Sequence, residues 1–258
     1  MTPTETDQIE ERLKALERLM ADSARELGEL RRRLPRAARA EIEQIEGQWA
    51  GVHYKWWVAT LAGLLALFTL SYAFYTKLGW VADQRSLPVG SDWLLRRLPV
   101  VDTLPMLSWG WFALHLYAVG AAVAYWPKRV PFLVYLLTLY MLVRTAFVFL
   151  SPIGHPVGMV DMRVHDWIFS RILGRWTFMN EFVFSGHTAI PFLFFLFFPS
   201  RGLKTLMLAG SVTMAVCVLL SRNHYTVDVL AAYLVGYALH GIAESSYGRW
   251  VAPLFQTR

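Results

Sequence analysis

The spacing of apolar residues divides the chain into two unlike parts. In the first 47 residues Ile9, Leu13, Leu16, Met20, Leu27, Leu30 and Leu34 recur at alternating steps of four and three, with Ser23 the one polar member of the row. That rhythm predicts roughly four heptads of amphipathic helix, either lying on a surface or joining protomers as a coiled coil. Pro35 should break or kink it. From Trp56 the pattern changes to long apolar runs at about Trp56 to Tyr75, Ser108 to Trp126, Pro131 to Leu150, Phe182 to Phe198, Leu203 to Leu220 and Thr226 to Ala243. Each approaches the length that crosses a bilayer core. Mixed loops, the second with an amphipathic stretch from Trp167 to Leu173 that suggests an interfacial helix, follow the first and third runs. Only Pro199 to Gly202 and Ser221 to Tyr225 separate the last three. The predicted fold is all-α: an N-terminal cytoplasmic amphipathic or coiled-coil helix (1–47), a six-span membrane domain (48–246) and a short tail (247–258).

Composition supports the membrane setting. With 55% hydrophobic, 15% aromatic and only 17% charged residues, and a mean hydropathy of +0.37, the chain is too apolar for an ordinary soluble domain. The net charge of +6 brings no nucleic-acid recognition motif with it; basic residues are expected in cytoplasmic loops and beside anionic lipid. The first 47 residues do not read as a secretory signal, because the start is acidic and the first apolar span comes late. The single cysteine, Cys217, excludes an intramolecular disulfide.

An even number of spans puts both termini on one side. Arg31, Arg32, Arg33, Arg36 and Arg39, then Lys128 and Arg129, then Arg201 and Lys204 all fall there, so that side should be cytoplasmic, although Arg96, Arg97, Arg171 and Arg175 lie opposite. The same alternation brings Arg144 late in the third span, His187 at the start of the fourth, and Arg222, His224 and Asp228 at the start of the sixth to the other face.

Those residues are the candidate chemistry. Phe184-Ser185-Gly186-His187-Thr188 and Ser221-Arg222-Asn223-His224-Tyr225-Thr226-Val227-Asp228 each place a histidine where an apolar run begins. If the helix has started by His224, Asp228 lies on the same face four residues on, and its carboxylate can hold the imidazole. His187 could then give and take protons across the site. Arg144 sits inside an apolar helix, which costs on the order of 2.5–3.5 kcal/mol unless it snorkels or meets an anion. Its planar fork suits a phosphate, while snorkelling or pairing with Glu181 or Asp228 are the structural alternatives. His53 and His240 lie near the other face, and His115 reads as a core hydrogen-bonding residue. His155 and His165 stand near Asp161 and Asp166 without metal-ligand spacing, so no metal is expected.

Ser-Gly-His-Thr before an apolar helix, with His-Tyr-Thr-Val-Asp-Val one helical hairpin later, resembles the sphingomyelin synthase family, within the wider group of type 2 phosphatidic acid phosphatases and related lipid phosphotransferases. The likeness extends to Leu98-Pro99-Val100-Val101-Asp102 after the first span and to Leu142-Val143-Arg144-Thr145 in the third. It covers roughly Trp56 to Ala243 and leaves out the N-terminal segment. The resemblance implies that His224 is a nucleophile, Asp228 its orienting carboxylate and His187 the general acid and base. It implies further that Arg144 and Arg222 bind the phosphate, with no metal or other cofactor. The lysine-to-arginine-proline signature of the phosphatase branches is absent, which favours the transferase branch. Asn180-Glu181 stands where synthases commonly show glycine-aspartate, so Glu181 would contact a cationic head group, tune His187, or be only a boundary carboxylate.

The expected function is transfer of a phospho-head group, phosphocholine or phosphoethanolamine, from a glycerophospholipid to ceramide or a diacylglycerol-like alcohol through a phosphohistidine, releasing diacylglycerol. The alternative is a lipid phosphatase or phospholipase C-type hydrolase that uses the same residues with water as acceptor. A non-catalytic lipid-binding scaffold assembled through the N-terminal helix is the reading from a different class. The expected partners are membrane lipids and, if the heptads pair, a second copy of the chain. The expected setting is a multi-pass membrane protein with cytoplasmic termini and an extracytoplasmic site, in the inner membrane if the arginine- and alanine-rich usage reflects a bacterial source.

Overall fold

The computed structural model describes residues 5–85, 87–150, 153–171, 178, 180 and 182–252. The chain divides into two units, residues 1–50 and 51–258.

The first unit holds α1 (Glu5–Arg33) and α2 (Arg36–Trp49). Helix α1 stops before Pro35, whose ring clashes with a continuing helix, and the same proline, at φ −55°, becomes the first flanking residue of α2. Across the bend Arg31 meets Glu43 at 3.5 Å and Glu46 at 3.0 Å. Such exposed pairs contribute at most about 1 kcal/mol each. The apolar row of α1 stays exposed along its length.

The second unit contains α3 (Tyr54–Asp83), α4 (Trp111–Tyr125), α5 (Val130–Leu150), α6 (Met162–His165), α7 (Trp167–Arg171), α8 (Gly186–Phe197), α9 (Arg201–Leu220) and α10 (Thr226–Ser246). Among the described residues all regular structure is helical, apart from an isolated bridge between Val89 and Gly154. A π-helical turn at Met106–Gly110 leads into α4, and another at Tyr247–Val251 prolongs α10. Among the described residues five helices are long and apolar enough to cross a membrane: Tyr54–Asp83, Met106–Tyr125, Pro127–Leu150, Arg201–Leu220 and Thr226–Val251. Leu70, Leu116 and Leu234 stand exposed on three of them, an outer surface that suits lipid.

The fourth apolar run differs from the expectation. Only Gly186–Phe197 is helical, 12 residues or about 18 Å, which is short of a full hydrocarbon crossing. Its start is fixed by Ser185, whose hydroxyl accepts the Thr188 N–H at 3.3 Å, and its end by Phe198, which precedes Pro199 and is extended. Helix α8 packs against α4, α9 and α10. The first span differs the other way and runs on to Asp83. The Thr76 hydroxyl folds back onto the Tyr72 carbonyl at 2.8 Å, so the polar residues after Tyr75 do not stop the helix. Gly79 lies against the Phe178 ring, where a Cβ would come within 2.6 Å.

The main core joins α3, α4, α5, α8 and α10 through buried Tyr140, Leu136, Phe194, Phe197 and Phe198. A smaller cluster of Leu104, Leu107, Met214 and Val218 seats α9 against the start of α4. A third, Leu95, Phe182 and Tyr225, lies at the end of the bundle where the two histidine motifs emerge.

Candidate active site

The two histidine motifs are tied to one another by backbone. The Ser185 N–H donates to the Asp228 carbonyl at 3.1 Å, which fixes the start of α8 beside the first turn of α10. The turn between α9 and α10 is closed by Asn223 N–H to Val218 O at 2.8 Å and passes through Arg222 at φ 55°. That left-handed residue lets a tight reversal bring His224 back over the bundle. His224 is 5% exposed, Asp228 2% and Arg144 5%.

His224 and Asp228 do pair, but not as neighbours on a helix. Helix α10 begins at Thr226, so His224 precedes it. Asp228 reaches back from the first turn. Its Oδ2 accepts the Tyr225 N–H at 2.9 Å and faces His224 Nδ1 at 3.3 Å. One carboxylate thus caps the helix and orients the ring. With Nδ1–H given to Asp228, the lone pair of His224 lies on Nε2. Burial holds the His224 pKa below its ordinary value, opposed by the hydrogen bond to Asp228, and the Arg144 charge acts with the burial. The ring is therefore neutral at pH 7 and available as a nucleophile. The Phe182 ring covers it edge-on, centroids 5.6 Å apart.

Arg144 arrives from α5, six residues before the end of that helix at Leu150. Its guanidinium donates to the Phe184 carbonyl and lies over the Tyr75 and Phe184 rings, 5.7 Å from each centroid. Gly186 makes room for it. A Cβ there would stand 3.3 Å from the Tyr140 hydroxyl and 3.9 Å from Arg144 Cζ. His187, the next residue, lies within electrostatic reach of both His224 and Arg144. Its Nε2 faces the Leu107 carbonyl at 3.1 Å, in the π-helical turn that opens the second span. If Nε2 is the donor, Nδ1 is left for chemistry. His187, His224, Asp228 and Arg144 are brought together; Arg222 is placed differently. Its guanidinium donates to Val157 O at 2.7 Å and Leu95 O at 3.3 Å, and so ties two outer loops to the α9–α10 turn. That geometry gives a phosphate-binding role for Arg222 no support. Glu181 lies outside the described residues.

Several residues that hold the site gave no motif. Asp92 accepts the Thr226 N–H at 2.6 Å, the Thr226 hydroxyl at 2.9 Å, and the N–H groups of Leu94 and Leu95. Burial opposes its ionisation, but those donors outweigh burial and hold its carboxyl below the ordinary range. The Tyr225 hydroxyl accepts from Gly90 N–H at 2.9 Å and donates to Gly154 O at 2.8 Å. The proline-aspartate element is also structural here: Val101 N–H donates to Leu220 O, the Thr103 hydroxyl to Cys217 O, and Asp102 accepts from Leu104 N–H. An aspartate in an irregular loop has too many local roles for sequence to show that its partner lies 134 residues away. His115 Nδ1 donates to Trp111 O at 2.7 Å, while its Nε2 is buried without a hydrogen-bond partner among the described residues. Asp161 caps α6 and pairs with Arg163, and among the described residues no three metal-ligating groups cluster.

One comparison with known proteins bears on this geometry. Residues 180–245 match the family model described as PAP2 superfamily C-terminal. The match supports the PAP2 superfamily. It spans both histidine motifs and the whole of α8 and α9, and it is consistent with lipid phosphatase or phosphotransferase activity. It does not single out the sphingomyelin synthase branch. No curated protein is significantly similar to the chain.

Proposed function

We propose that the protein is a lipid phosphotransferase that moves a phospho-head group from a glycerophospholipid to a lipid alcohol of the ceramide type. The observation that carries the reading is His224 Nδ1 against Asp228 Oδ2 at 3.3 Å, in a buried site that also contains Arg144 and lies within electrostatic reach of His187. His224 Nε2 attacks phosphorus as the bond from phosphorus to the diacylglycerol oxygen breaks, and His187, which takes up a proton at Nδ1 when the anionic phosphodiester enters beside it, gives that proton to the departing oxygen. The acceptor hydroxyl then loses its proton to His187, attacks phosphorus and displaces His224. Arg144 and the first N–H groups of α8, at Gly186 and His187, balance the charge that builds on the phosphoryl oxygens. Burial favours a lipid alcohol over water as acceptor, because bulk solvent has little access to the phosphorylated ring. Arg222 acts by holding the loops, and the site faces the extracytoplasmic side if the arginines of the opposite loops are cytoplasmic.

The test uses the purified protein in vesicles with labelled phosphatidylcholine or phosphatidylethanolamine, with and without ceramide, and identifies products by mass. A new head-group-bearing sphingolipid that appears with diacylglycerol supports the proposal. Water-soluble phospho-head group or phosphate formed equally in the absence of ceramide makes the protein a hydrolase. Turnover retained in His224→Ala removes the nucleophile assignment.

A further inference from the structure

We propose that α1 joins the chain to a second copy of itself as a parallel, in-register coiled coil. The apolar row places Leu13, Met20, Leu27 and Leu34 at one core position of the heptad and Ile9, Leu16, Ser23 and Leu30 at the other. The structure leaves this seam open to solvent: Ile9 is 56% exposed, Leu13 53%, Leu16 54%, Met20 65%, Leu27 66% and Leu30 59%. An apolar stripe interrupted only at Ser23 along a 29-residue helix is a surface built to be covered.

The charges beside the seam say what covers it. In a parallel pair the residue before each leucine-or-methionine position faces the residue five further along on the partner. Arg12 then faces Glu17, Leu19 faces Ala24, and Glu26 faces Arg31, each pair occurring twice by symmetry. Only Glu5 against Glu10, at the very start, is unfavourable. Arg31 also serves Glu43 and Glu46 of its own chain, so Arg12 and Glu17 carry the clearest signal. An antiparallel pair with the same seam sets Arg12 against Arg33 and Glu10 against Arg31, and gains nothing net. Two copies inserted with the same topology present their N-terminal helices on one side of the membrane, where they can meet. A helix lying flat on lipid is the less suited occupant, because α1 has no aromatic residue and carries Glu10, Glu17 and Glu26 along the margins of its apolar stripe.

The test is disulfide trapping of the full chain in lipid nanodiscs or vesicles, in a Cys217→Ala background. Ile9→Cys and Leu30→Cys, made separately, should each form a self-linked dimer on mild oxidation, at least tenfold above Arg18→Cys on the outer face of the same helix. An antiparallel pair would hold the two Ile9 positions about 37 Å apart, 25 residues at 1.5 Å rise, and link neither variant. A lipid-lying helix would link neither above the Arg18→Cys level. Either result overturns the proposal. Adding Arg12→Glu to Ile9→Cys should cut the linked fraction, and adding Glu17→Arg as well should restore it; loss without restoration also overturns the in-register pairing.

Discussion

Replacing Asp228 by asparagine tests the site at its centre, because one carboxylate oxygen does two jobs. In the wild type Oδ2 accepts from Tyr225 N–H and faces His224 Nδ1 at 3.3 Å, with the two side chains 7% and 3% exposed. When His224 Nε2 bonds to phosphorus the ring becomes cationic. A full negative charge 3.3 Å away then stabilises it by about 5 kcal/mol at an effective dielectric near 20. Asparagine removes that charge. If its amide nitrogen turns to the ring it also moves the proton from Nδ1 to Nε2 and blocks the nucleophile. The expected loss in turnover is about 10³–10⁴-fold. The cost to folding is smaller, about 1–3 kcal/mol, because the amide can still accept from Tyr225. The assay is head-group transfer from a labelled phospholipid in vesicles, with thermal unfolding measured on the same preparation. A folded Asp228→Asn protein within tenfold of the wild-type rate would refute the assignment of His224 and Asp228 as a working pair.

Gly186→Ala should lower transfer by about tenfold or more with little change in melting temperature, since the new methyl, 3.3 Å from the Tyr140 hydroxyl, displaces that side chain beside Arg144 at a position where alanine suits a helix; equal activity would show that Tyr140 does not help to place the guanidinium against phosphate. Asp92→Ala should destabilise the folded protein by about 2 kcal/mol, because the start of α10 loses its acceptor for Thr226, and should lower turnover through His224; an unchanged melting temperature would contradict the clamp. For pH, the neutral imidazole is the reactive form and burial lowers its pKa. kcat/KM should therefore hold from neutral pH down past about 6.5, the ordinary histidine value, and fall only below it. The unfolded chain binds this proton more readily than the folded one, so the contribution of His224 to stability also declines as pH falls through that range. An acid limb centred above 6.5 would reverse the assignment.

The site differs from ordinary helix-surface chemistry in how it is fixed. Asp228 belongs to α10, yet its backbone carbonyl holds α8 while its side chain holds the turn before α10. Displacing it therefore disturbs His187 and His224 together. This coupling explains why the motifs carry small and polar residues around each histidine: Ser185 caps, Gly186 clears space, and Asn223 bonds Val160 O and Ser221 Oγ to set the turn.

Sequence by itself determined the parts that depend on local spacing. Apolar periodicity separated the heptad helix from the membrane runs, Pro35 ended α1, and the two histidine motifs marked the ends of helices that meet. These are properties of residues within a few turns of one another, where steric limits and burial act directly on the local chain. Tertiary structure decided the rest. Hydropathy counted Phe182 and Phe184 as part of a span, but packing uses them around His224, Tyr225 and Arg144, and leaves α8 only 12 residues long. Apolar side chains report burial and not where a helix begins, so Phe182 and Phe184 read like members of the helix they precede. Arg222 and Asp92 likewise found their partners through loops distant in sequence, because a charged side chain's role is set by whichever carbonyls and N–H groups the folded backbone leaves within about 3 Å of it.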